Sequence, residues 1–530
     1  MERPSSIELS KEQYEALNQR LETDSLTAED RALLSKLLKA MLWMTAQLEA
    51  GRLGLARLKK LIFGDKTEKR RNLFPEKKQN DIAGNPKSGE PNNPKPKPGH
   101  GRMGREAYTG ANKVFCPHGN LKPGDRCPEC CQGRLHSSIE PGHFVRFTGQ
   151  APITATVYET ERLRCGLCGK VFEASLPEGV PPYRWDETAK TMAALLRSGY
   201  GVPHYRQEKL QRDLGMPIAD SVLQELSEQV ADCGHAPYRV LYNLSAQGIQ
   251  MNLDDTTCRI LDLIRENKEN DPERRGIFTT ALISKVGDYE IALFKSGRNH
   301  MGENIEELLK NRREDLSPPR IMTDGTNVLP GNLKAILGNC LTHGRRQFAD
   351  IKEGFPMEVQ YVIDRFAEIY RFDAIAQEMA MSDEDRRDYH AKNSGPVIEN
   401  LKAWCQDQII SKKCEPNSGL GSAIKYLDKR WEKLTHFLRI PGAPLSNDVV
   451  ERLIKRCVLH RKNSLFYKTQ HGAVIGDILM TLIHTTVRAG KNPFDYLTEL
   501  QRHRTLVVRN PDAWLPWNYQ ATLAALRPSQ

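Results

Sequence analysis

The sequence has no uninterrupted run of about 18 apolar residues, the length that a membrane-spanning helix needs. Its first segment, MERPSSIELSKEQ, also lacks the basic-then-apolar pattern of a secretory signal. These absences exclude a membrane span and favour a cytoplasmic protein, in which thiols stay reduced. The 12 cysteines are therefore expected to be free thiols or metal ligands rather than disulfides.

Net charge is also small, at +10 over 530 residues, but it is unevenly distributed. One basic cluster lies between residues 57 and 113. A second consists of Arg452, Lys455, Arg456, Arg461 and Lys462. Clusters of this kind suit a polyanion, because each neutralised phosphate releases counterions and adds affinity. They predict DNA contacts, and the alternative is a solvated surface.

A long helix is predicted between residues 25 and 62. It opens with Thr27 and Asp30 in a capping-box arrangement. Its apolar residues follow heptads, which favours a coiled coil and hence a dimer, and the alternative is one helix packed on its own body. Residues 72–112 are rich in Pro, Lys, Asn and Gly with few apolar residues, and predict a flexible basic linker.

Two CxxC pairs predict a structural zinc site. The pairs CPEC and CGLC would give four thiolates to one tetrahedral ion, and the alternating, β-branched segment between them predicts strands. Cys116 or His118 could replace one ligand, and the alternative is a set of reduced core cysteines. The predicted ligands are Cys127, Cys130, Cys165 and Cys168.

Residues 186–232 predict helices with the length of a helix-turn-helix and Gly215 at the turn. The second helix carries Asp220, Glu225 and Glu228 and no Lys or Arg. Because acidic side chains are repelled by phosphates, we interpret these helices as a structural layer rather than a DNA-reading unit.

The segment QMNLDD marks a change to strand periodicity. Met251 and Leu253 alternate with Asn252 and Asp254, so Asp254 shares a face with polar residues and Asp255 does not. Two strands, GIFTTALIS and YEIALFK, follow as a hairpin, then a short helix and a strand, PRIMTD, that ends at Asp324. A loop and helix, a further short strand and another helix complete the segment.

This order of strands and helices is that of the ribonuclease-H fold, in which the first and fourth strands are neighbours. Asp254 and Asp324 would then meet at one edge. Taken alone, Asp324 is explained by an Asp-Gly turn, and Glu451 by an i, i+4 ion pair with Lys455. If the three carboxylates converge, they could hold two Mg²⁺ ions, which prefer oxygen ligands.

The sequence as a whole predicts a multidomain α+β protein: a ribonuclease-H-like α/β catalytic core with a helical insertion, preceded by a small zinc β-domain and an N-terminal coiled-coil helix. The predicted divisions are a helical/coiled-coil region 1–71, the linker 72–112, the zinc-binding β-domain 113–178, a helical domain 179–245, the core 246–350 and 441–490, the insertion 351–440 and a C-terminal tail 491–530.

Motifs along nearly the whole chain resemble transposases of the insertion-sequence-66 family, a branch of the Asp-Asp-Glu transposases. Three positions near the acidic residues differ, with Asp255, Thr326 and Ser446 where the family commonly has glutamate, tyrosine and aspartate. The motifs that carry the resemblance are LARLKKLIFGDKTEKR, GHGR, CPEC with CGLC, VPHYRQEKLQRDLG, LDDTT, MTDG, CLTHGRRQF, SNDVVERLIKR, RKNSLF, NPFDYLTEL and DAWLPWNY.

The resemblance implies a catalytic triad of Asp254, Asp324 and Glu451. It implies two Mg²⁺ ions, with Mn²⁺ as a substitute, and hydrolysis at the ends of an insertion sequence followed by attack of the freed 3′-hydroxyl on target DNA. His343 and Arg346 would contact the scissile phosphate, and the basic cluster after Glu451 would follow the DNA backbone.

The resemblance further implies a homodimer or higher oligomer on two DNA ends, small accessory proteins of the same element, and a place in the prokaryotic cytoplasm at the nucleoid. Two alternatives remain open at this point. One is a ribonuclease-H-like nuclease that cleaves without joining, and the other is a DNA-binding protein that has lost catalysis.

Overall fold

The structure is a computed structural model. It describes residues 19–20, 27–35, 123, 125–126, 134, 151–164, 171–181, 183–270, 276–325, 329–330 and 333–526. The predicted linker, most of the predicted coiled coil and the predicted zinc ligands lie outside these residues. Within them, the predicted capping box is present, because the Asp30 amide donates to Thr27 Oγ1 at 3.2 Å and the Thr27 amide donates to Asp30 Oδ2 at 3.0 Å.

In the part of the chain that the structure describes, the strands form a two-stranded and a five-stranded sheet. β1 and β2 pair as a short antiparallel ribbon, and the larger sheet has the order β5-β4-β3-β6-β7, with β6 and β7 parallel to β3 and β4 antiparallel to it. The strands are β1 Arg162–Arg164, β2 Val171–Glu173, β3 Gln250–Thr257, β4 Phe278–Val286, β5 Tyr289–Gly297, β6 Arg320–Thr323 and β7 Ile336–Asn339.

Helices make up most of the remaining described chain. They are α1 Glu187–Ala194, α2 His204–Asp213, α3 Asp220–Ser245, α4 Leu261–Asn270, α5 Met301–Leu309, α6 Leu341–Ala349, α7 Pro356–Glu378, α8 Asp383–Ile410, α9 Gly419–Leu434, α10 Asp448–Ser464, α11 Gln470–Arg488, α12 Pro493–Arg502, α13 Arg504–Arg509 and α14 Tyr519–Leu526. A π-helical turn, Leu195–Gly199, continues α1, and 3₁₀ turns lie at His436–Leu438 and Pro511–Trp514.

The large sheet is covered on both faces. On one face Met251 and Leu253 of β3 pack with apolar residues of α5. On the other, Ala281 and Ile283 of β4 pack with α10 and α11. The pairing of Asp254 with Ala281 therefore assigns Asp254 to the α10 face. Because both faces are buried, alternate residues of β3 point into two different interior environments rather than alternately into the core and into solvent.

Helix α11 covers the free edge of β5. Three side chains at i, i+4 and i+8 of α11 accept the backbone N–H groups that β5 presents at this edge. Ser296 N donates to Asp477 Oδ2 at 2.7 Å, Ala292 N to Thr485 Oγ1 at 3.1 Å, and Phe294 N to Thr481 Oγ1 at 3.2 Å. These three amides of the edge strand, which have no neighbouring strand to pair with, thus find hydrogen-bond acceptors within the protein.

Helices α7, α8 and α9 lie within residues 351–440, the segment predicted as an insertion, and have their own apolar core, to which α6 contributes. Upstream of the sheet, α1 to α3 are helical as predicted, and Gly215 has the positive φ of +77° that a tight turn requires. Helix α3 runs to Ser245, past the predicted end, and shares a core with α11, α12 and the 3₁₀ turn near Trp514.

Two details of the predicted order are wrong. Helix α4 separates β3 from β4, because Leu263 and Ile264, together with Ile260 just before the helix, form an apolar stripe that packs with Tyr467. The helix expected between Asp324 and the next strand is absent from the described residues of that stretch, 324–325, 329–330 and 333–335. The further short strand is β7, which pairs with β6 and ends at Asn339, directly before Cys340 and α6.

Candidate functional site

The ends of β3 and β6 bring Asp254 and Asp324 to one edge of the sheet. The last parallel pair between these strands is Asn252 with Met322. Asp254 and Asp324 each follow two residues later, beyond the point where the two strands stop pairing, and both side chains are half-buried. β3 itself continues to Thr257 beside β4. Carboxylates in equivalent positions on adjacent parallel strands are neighbours.

Asp254 and Asp255 have different surroundings. Asp255 Oδ2 accepts from the Met301 amide at 3.1 Å, at the N-terminus of α5, where a carboxylate is favoured by the helix dipole. Asp254 points to the opposite face and its Oδ1 accepts from the Asp255 amide at 2.8 Å. Asp255 is thus used to hold α5, whereas Asp254 faces α10.

Glu451 lies in the first turn of α10 and faces the first turn of α6. Its Oε1 is 3.6 Å from His343 Nδ1 and 3.9 Å from Cys340 Sγ. The other ring nitrogen of His343, Nε2, is 3.4 Å from Asp324 Oδ2. His343 therefore bridges the two carboxylates. Lys455, the predicted ion-pair partner of Glu451, is exposed.

Asn447 is the buried connection between the strand ends and α10. Its Nδ2 donates to the Leu253 carbonyl at 2.8 Å and to Asp324 Oδ1 at 3.2 Å, and its Oδ1 accepts from Asn252 Nδ2 at 3.0 Å. Its backbone N–H donates to Cys340 Sγ at 3.2 Å. Asn447 directly precedes α10, but its side chain makes no capping hydrogen bond to that helix and bonds to β3 and Asp324 instead.

The carboxylates perturb one another. Burial, followed by the charge of Asp324, raises the pKa of Asp254 to about 7. Burial also raises the pKa of Glu451, against the opposing charge of His343 and with the added charge of Asp324. A cation among the three side chains would relieve this repulsion, because it favours the deprotonated form of each carboxylate.

The donor set fits a hard divalent cation. Three carboxylates supply the oxygen ligands that Mg²⁺ and Mn²⁺ prefer. Ligand atoms of Cys340, His343 and Glu451 also lie within 4.8 Å of one another, and His343 Nδ1 has no hydrogen-bond partner among the described residues. Burial raises the pKa of the Cys340 thiol to about 11, which makes it a poorer ligand at neutral pH than the carboxylates beside it.

The insertion contacts the turn after β6. Tyr426 Oη donates to the Asp324 carbonyl at 3.1 Å, and Arg430 Nε donates to the Gly325 carbonyl at 2.9 Å. Gly325 has a φ of +91°, and a Cβ there would lie 2.8 Å from Tyr426 Oη. The Asp-Gly turn is therefore present, and it also carries Asp324 into the cluster.

The predicted DNA-contacting residues fall into three environments. Arg346 Nη1 is 3.2 Å from His343 Nε2, at the cluster. Arg461 Nη1 donates to Thr256 Oγ1 at 2.9 Å and to Thr257 Oγ1 at 2.8 Å, which fastens α10 to the end of β3. The remaining side chains are exposed along α10, namely Arg452, Lys455, Arg456 and Lys462.

Sequence reasoning missed four residues of this region: Cys340, Tyr426, Arg430 and Asn447. Cys340 had a usable signal, since Cys-x-x-His at the start of a helix brings both side chains to one side. Asn447 directly precedes a helix, a position at which asparagine is commonly a local cap. Tyr426 and Arg430 belong to a helix about 100 residues distant from Asp324 in sequence. The predicted zinc ligands Cys127, Cys130, Cys165 and Cys168 lie outside the described residues.

Comparison with known sequences assigns the class of protein. The sequence pattern of the family described as "Transposase IS66 family" matches residues 185–475, more than half of the chain. The chain belongs to the IS66 family of transposases. The matched segment contains the five-stranded sheet, the insertion and all of α10. Family membership implies DNA binding and a role in transposition.

Similar proteins occur in Sinorhizobium fredii. The uncharacterized protein y4jD is 24% identical over 437 residues, which cover 76% of this chain and 80% of y4jD. The uncharacterized protein y4qI is 27% identical over 188 residues, 35% of this chain and 34% of y4qI. The uncharacterized protein y4hP is 26% identical over 202 residues, 35% of this chain and 36% of y4hP. Among the described residues, no helix is both long and apolar enough to span a membrane.

Proposed function

We propose that this chain is an Asp-Asp-Glu transposase that cleaves and joins DNA at the ends of an insertion sequence. The observation that carries the proposal is the convergence of three carboxylates on one site. Asp254 and Asp324 each lie two residues beyond the last β3–β6 pair, and Glu451 is joined to Asp324 through His343. Membership of a transposase family supplies the DNA substrate.

The sheet supports a ribonuclease-H-like core. Its first three strands are antiparallel, its fourth and fifth are parallel to the first, and the first and fourth are neighbours. In this arrangement, metal ligands from the first strand, β3, and from the end of the fourth strand, β6, can bind the same pair of ions as a residue of the later helix α10. Asp254, Asp324 and Glu451 are the proposed Mg²⁺ or Mn²⁺ ligands.

The proposed reaction has two in-line displacements at phosphorus. In the first, a water oxygen attacks the phosphodiester at the end of the element, a new P–O bond forms, and the P–O3′ bond breaks to leave a 3′-hydroxyl. In the second, this hydroxyl attacks a target phosphodiester and expels the target 3′ oxygen, which takes up a proton. When bound, the divalent cations activate the nucleophile and stabilise the leaving oxygen.

The protein groups act by positioning and charge. Asn447 fixes the carboxylate of Asp324 relative to β3, and Tyr426 with Arg430 fixes the turn that carries Asp324. His343, between Asp324 and Glu451, is proposed to hold their orientation and, with Arg346, to contact the scissile phosphate. The exposed cations of α10 are proposed to follow the DNA backbone.

A strand-transfer assay tests the proposal. A labelled, pre-cleaved end of the element is incubated with plasmid and Mg²⁺, and joined products are expected with the wild-type chain. Asp254→Asn, Asp324→Asn and Glu451→Gln should each abolish joining and retain binding in a band-shift assay. Asp255→Asn is the matched control that should retain joining.

The alternatives are separated by the same assay. Hydrolysis of the DNA without joined product would identify a nuclease. Transposition in cells that survives replacement of all three carboxylates would identify a DNA-binding protein without this catalysis. Zinc at Cys127, Cys130, Cys165 and Cys168, an N-terminal coiled-coil dimer and accessory proteins remain proposals, and metal analysis of Cys127→Ser tests the first.

A further inference from the structure

The chain makes a strained turn where α10 ends. Leu465 has φ +67° and ψ −42°, and the Phe466 amide donates to the Ser464 carbonyl at 2.8 Å. A hydrogen bond from residue i+2 to i around a positive φ defines the rarer and more strained form of the γ-turn. Leucine is unfavourable there because its Cβ crowds the backbone, so the surrounding structure must hold it in place.

The neighbours of Leu465 hold this turn. The Leu465 amide donates to the Arg461 carbonyl at 2.9 Å, which closes the helix. Two residues on, the Tyr467 amide donates to the Arg259 carbonyl at 2.8 Å and the Tyr467 carbonyl accepts from Leu261 at 3.0 Å. The Tyr467 ring is buried and stacks on His460 with ring centres 4.7 Å apart. The turn is thus fixed on both sides by the core.

The turn presents two large apolar side chains to solvent. Leu465 is 59% exposed and Phe466 is 42% exposed. Neither contributes to the buried clusters that stabilise the fold. Backbone strain that displays apolar side chains, rather than burying them, is typical of a functional surface.

The charge around the turn favours nucleic acid as the partner. Arg259, Lys462 and Lys468 are exposed beside it, and residues 452–468 include no Asp or Glu. A second copy of this surface would be repelled by the same positive charge. Apolar side chains flanked by cations are the means by which proteins enter between stacked bases while holding the phosphates.

The turn also has a defined distance from the proposed catalytic carboxylates. Glu451 and Leu465 lie near opposite ends of α10, 14 residues apart, so the helix separates them by about 20 Å at 1.5 Å per residue. For a duplex that lies along α10, that length corresponds to about six base pairs at 3.4 Å each. Arg461 fastens the end of the helix nearer Leu465 to β3, so this spacing is rigid.

We propose that Leu465 and Phe466 form an apolar wedge that enters between base pairs of duplex DNA about six base pairs from the bond that the enzyme cleaves. The wedge unstacks one base step and positions the duplex along α10. The insertion of the wedge rests on the proposed DNA substrate and not on the catalytic role of the three carboxylates. Only its spacing from the cleaved bond rests on that role as well.

Binding to opened DNA tests the wedge. Two 30-base-pair duplexes of the same arbitrary sequence, one fully matched and one with a central two-base mismatch, are titrated with the full chain by fluorescence anisotropy in a metal chelator. Because the mismatch removes most of the unstacking cost, the wild type should bind it about tenfold more tightly. Leu465→Ala/Phe466→Ala should lose this preference, and Phe466→Trp should keep it.

Matched controls make the outcome decisive. Val487→Ala/Val508→Ala removes two other exposed apolar side chains and should retain the preference. Asp254→Asn should also retain it, so failure of the catalytic proposal leaves this result unaffected. Equal affinity of the wild type for both duplexes overturns the wedge. The wedge is also overturned if the Leu465→Ala/Phe466→Ala variant still prefers the mismatched duplex, including the case in which its affinity falls by the same factor for both duplexes. A change of that variant from dimer to monomer with the preference intact would assign the surface to self-association instead.

Discussion

Asn447 donates a hydrogen bond from Nδ2 to Asp324 Oδ1 at 3.2 Å, although 123 positions separate them in the sequence. The same Nδ2 donates to the Leu253 carbonyl at 2.8 Å, one residue before Asp254. One buried amide therefore sets the spacing of both strand ends and the start of the helix that carries Glu451. The proposed ligands depend on a residue that would never touch the metal.

Replacement of Asn447 should damage both stability and catalysis. Asn447→Ala leaves the Asn252 amide without its acceptor and the Leu253 carbonyl without its side-chain donor, which should cost about 1–3 kcal/mol of unfolding free energy. The yield of joined DNA should fall by more than the loss of folded protein accounts for, because the Asp324 carboxylate loses the hydrogen bond that orients it. Denaturant unfolding and strand transfer are measured together. The neighbouring Ser446→Ala is the control, and equal joining by both variants would contradict the role of Asn447.

Gly325→Ala should reduce catalysis through the insertion. The new Cβ would lie 2.8 Å from Tyr426 Oη and 3.0 Å from Arg430 Nε, so the turn that carries Asp324 must move. Gly287→Ala is a matched control, since Gly287 also has a positive φ, of +57°, but its Cβ would meet nothing within 4 Å. Both variants should lose about 1–2 kcal/mol from backbone strain. Only Gly325→Ala should lose the joining activity. An equal loss of joining in both variants would show that the contacts of Tyr426 and Arg430 with this turn do not support catalysis.

Metal binding should stabilise the chain through the carboxylates. Mg²⁺ at about 100 times its dissociation constant should add about 2.7 kcal/mol to the wild type. Asp254→Asn should abolish this gain and raise the metal-free stability at neutral pH, because it removes a buried carboxylate whose pKa is raised by burial and by Asp324. Thermal unfolding with and without Mg²⁺ measures both effects. Asp255→Asn should keep the metal response, and its loss there would favour Asp255 as the ligand.

Asp477 should make stability depend on pH. Burial raises its pKa from 3.8 to about 7, against the hydrogen bonds from Ser296. A raised folded-state pKa means that the folded chain holds the proton more tightly, so this contribution is complete below pH 3.8 and is lost as the pH rises through about 7. Unfolding free energies from pH 5 to pH 8 should therefore fall more steeply in the wild type than in Asp477→Asn. The exposed Asp288→Asn should follow the wild type, and parallel curves for Asp477→Asn would contradict the raised pKa.

The sequence predicted those parts of the site that follow from strand periodicity. Alternation around Asp254 assigned it to the polar face, and the structure indeed separates it from Asp255, which holds α5. The apolar residues of α10 likewise recur with the helical spacing i, i+3, i+4 and i+7, and these residues, Val450, Leu453, Ile454 and Cys457, all pack on the sheet. Local pattern succeeds here because burial repeats with the period of the element.

What escaped prediction depends on contacts between distant segments. Asn447 resembled a helix cap because Asn before a helix usually is one, yet its partners are β3 and β6. The turn at Leu465 had no signal at all, since leucine disfavours positive φ and only the surrounding core imposes it. Helix α4 was different: Ile260, Leu263 and Ile264 carried a helical spacing that was overlooked.

Leu465→Gly should stabilise the chain while it impairs DNA distortion. Glycine adopts a positive φ without steric cost, so the substitution should add about 1 kcal/mol to the unfolding free energy, reduced by the greater freedom of glycine in the unfolded chain. Little is lost in packing, because the Leu465 side chain is 59% exposed. Denaturant unfolding is compared with Val508→Gly, whose residue lies in helix α13 and which should destabilise. Preference for mismatched DNA should weaken in Leu465→Gly. A variant that is less stable than the wild type would show that the turn is not strained, and that the leucine is retained for the fold rather than for DNA.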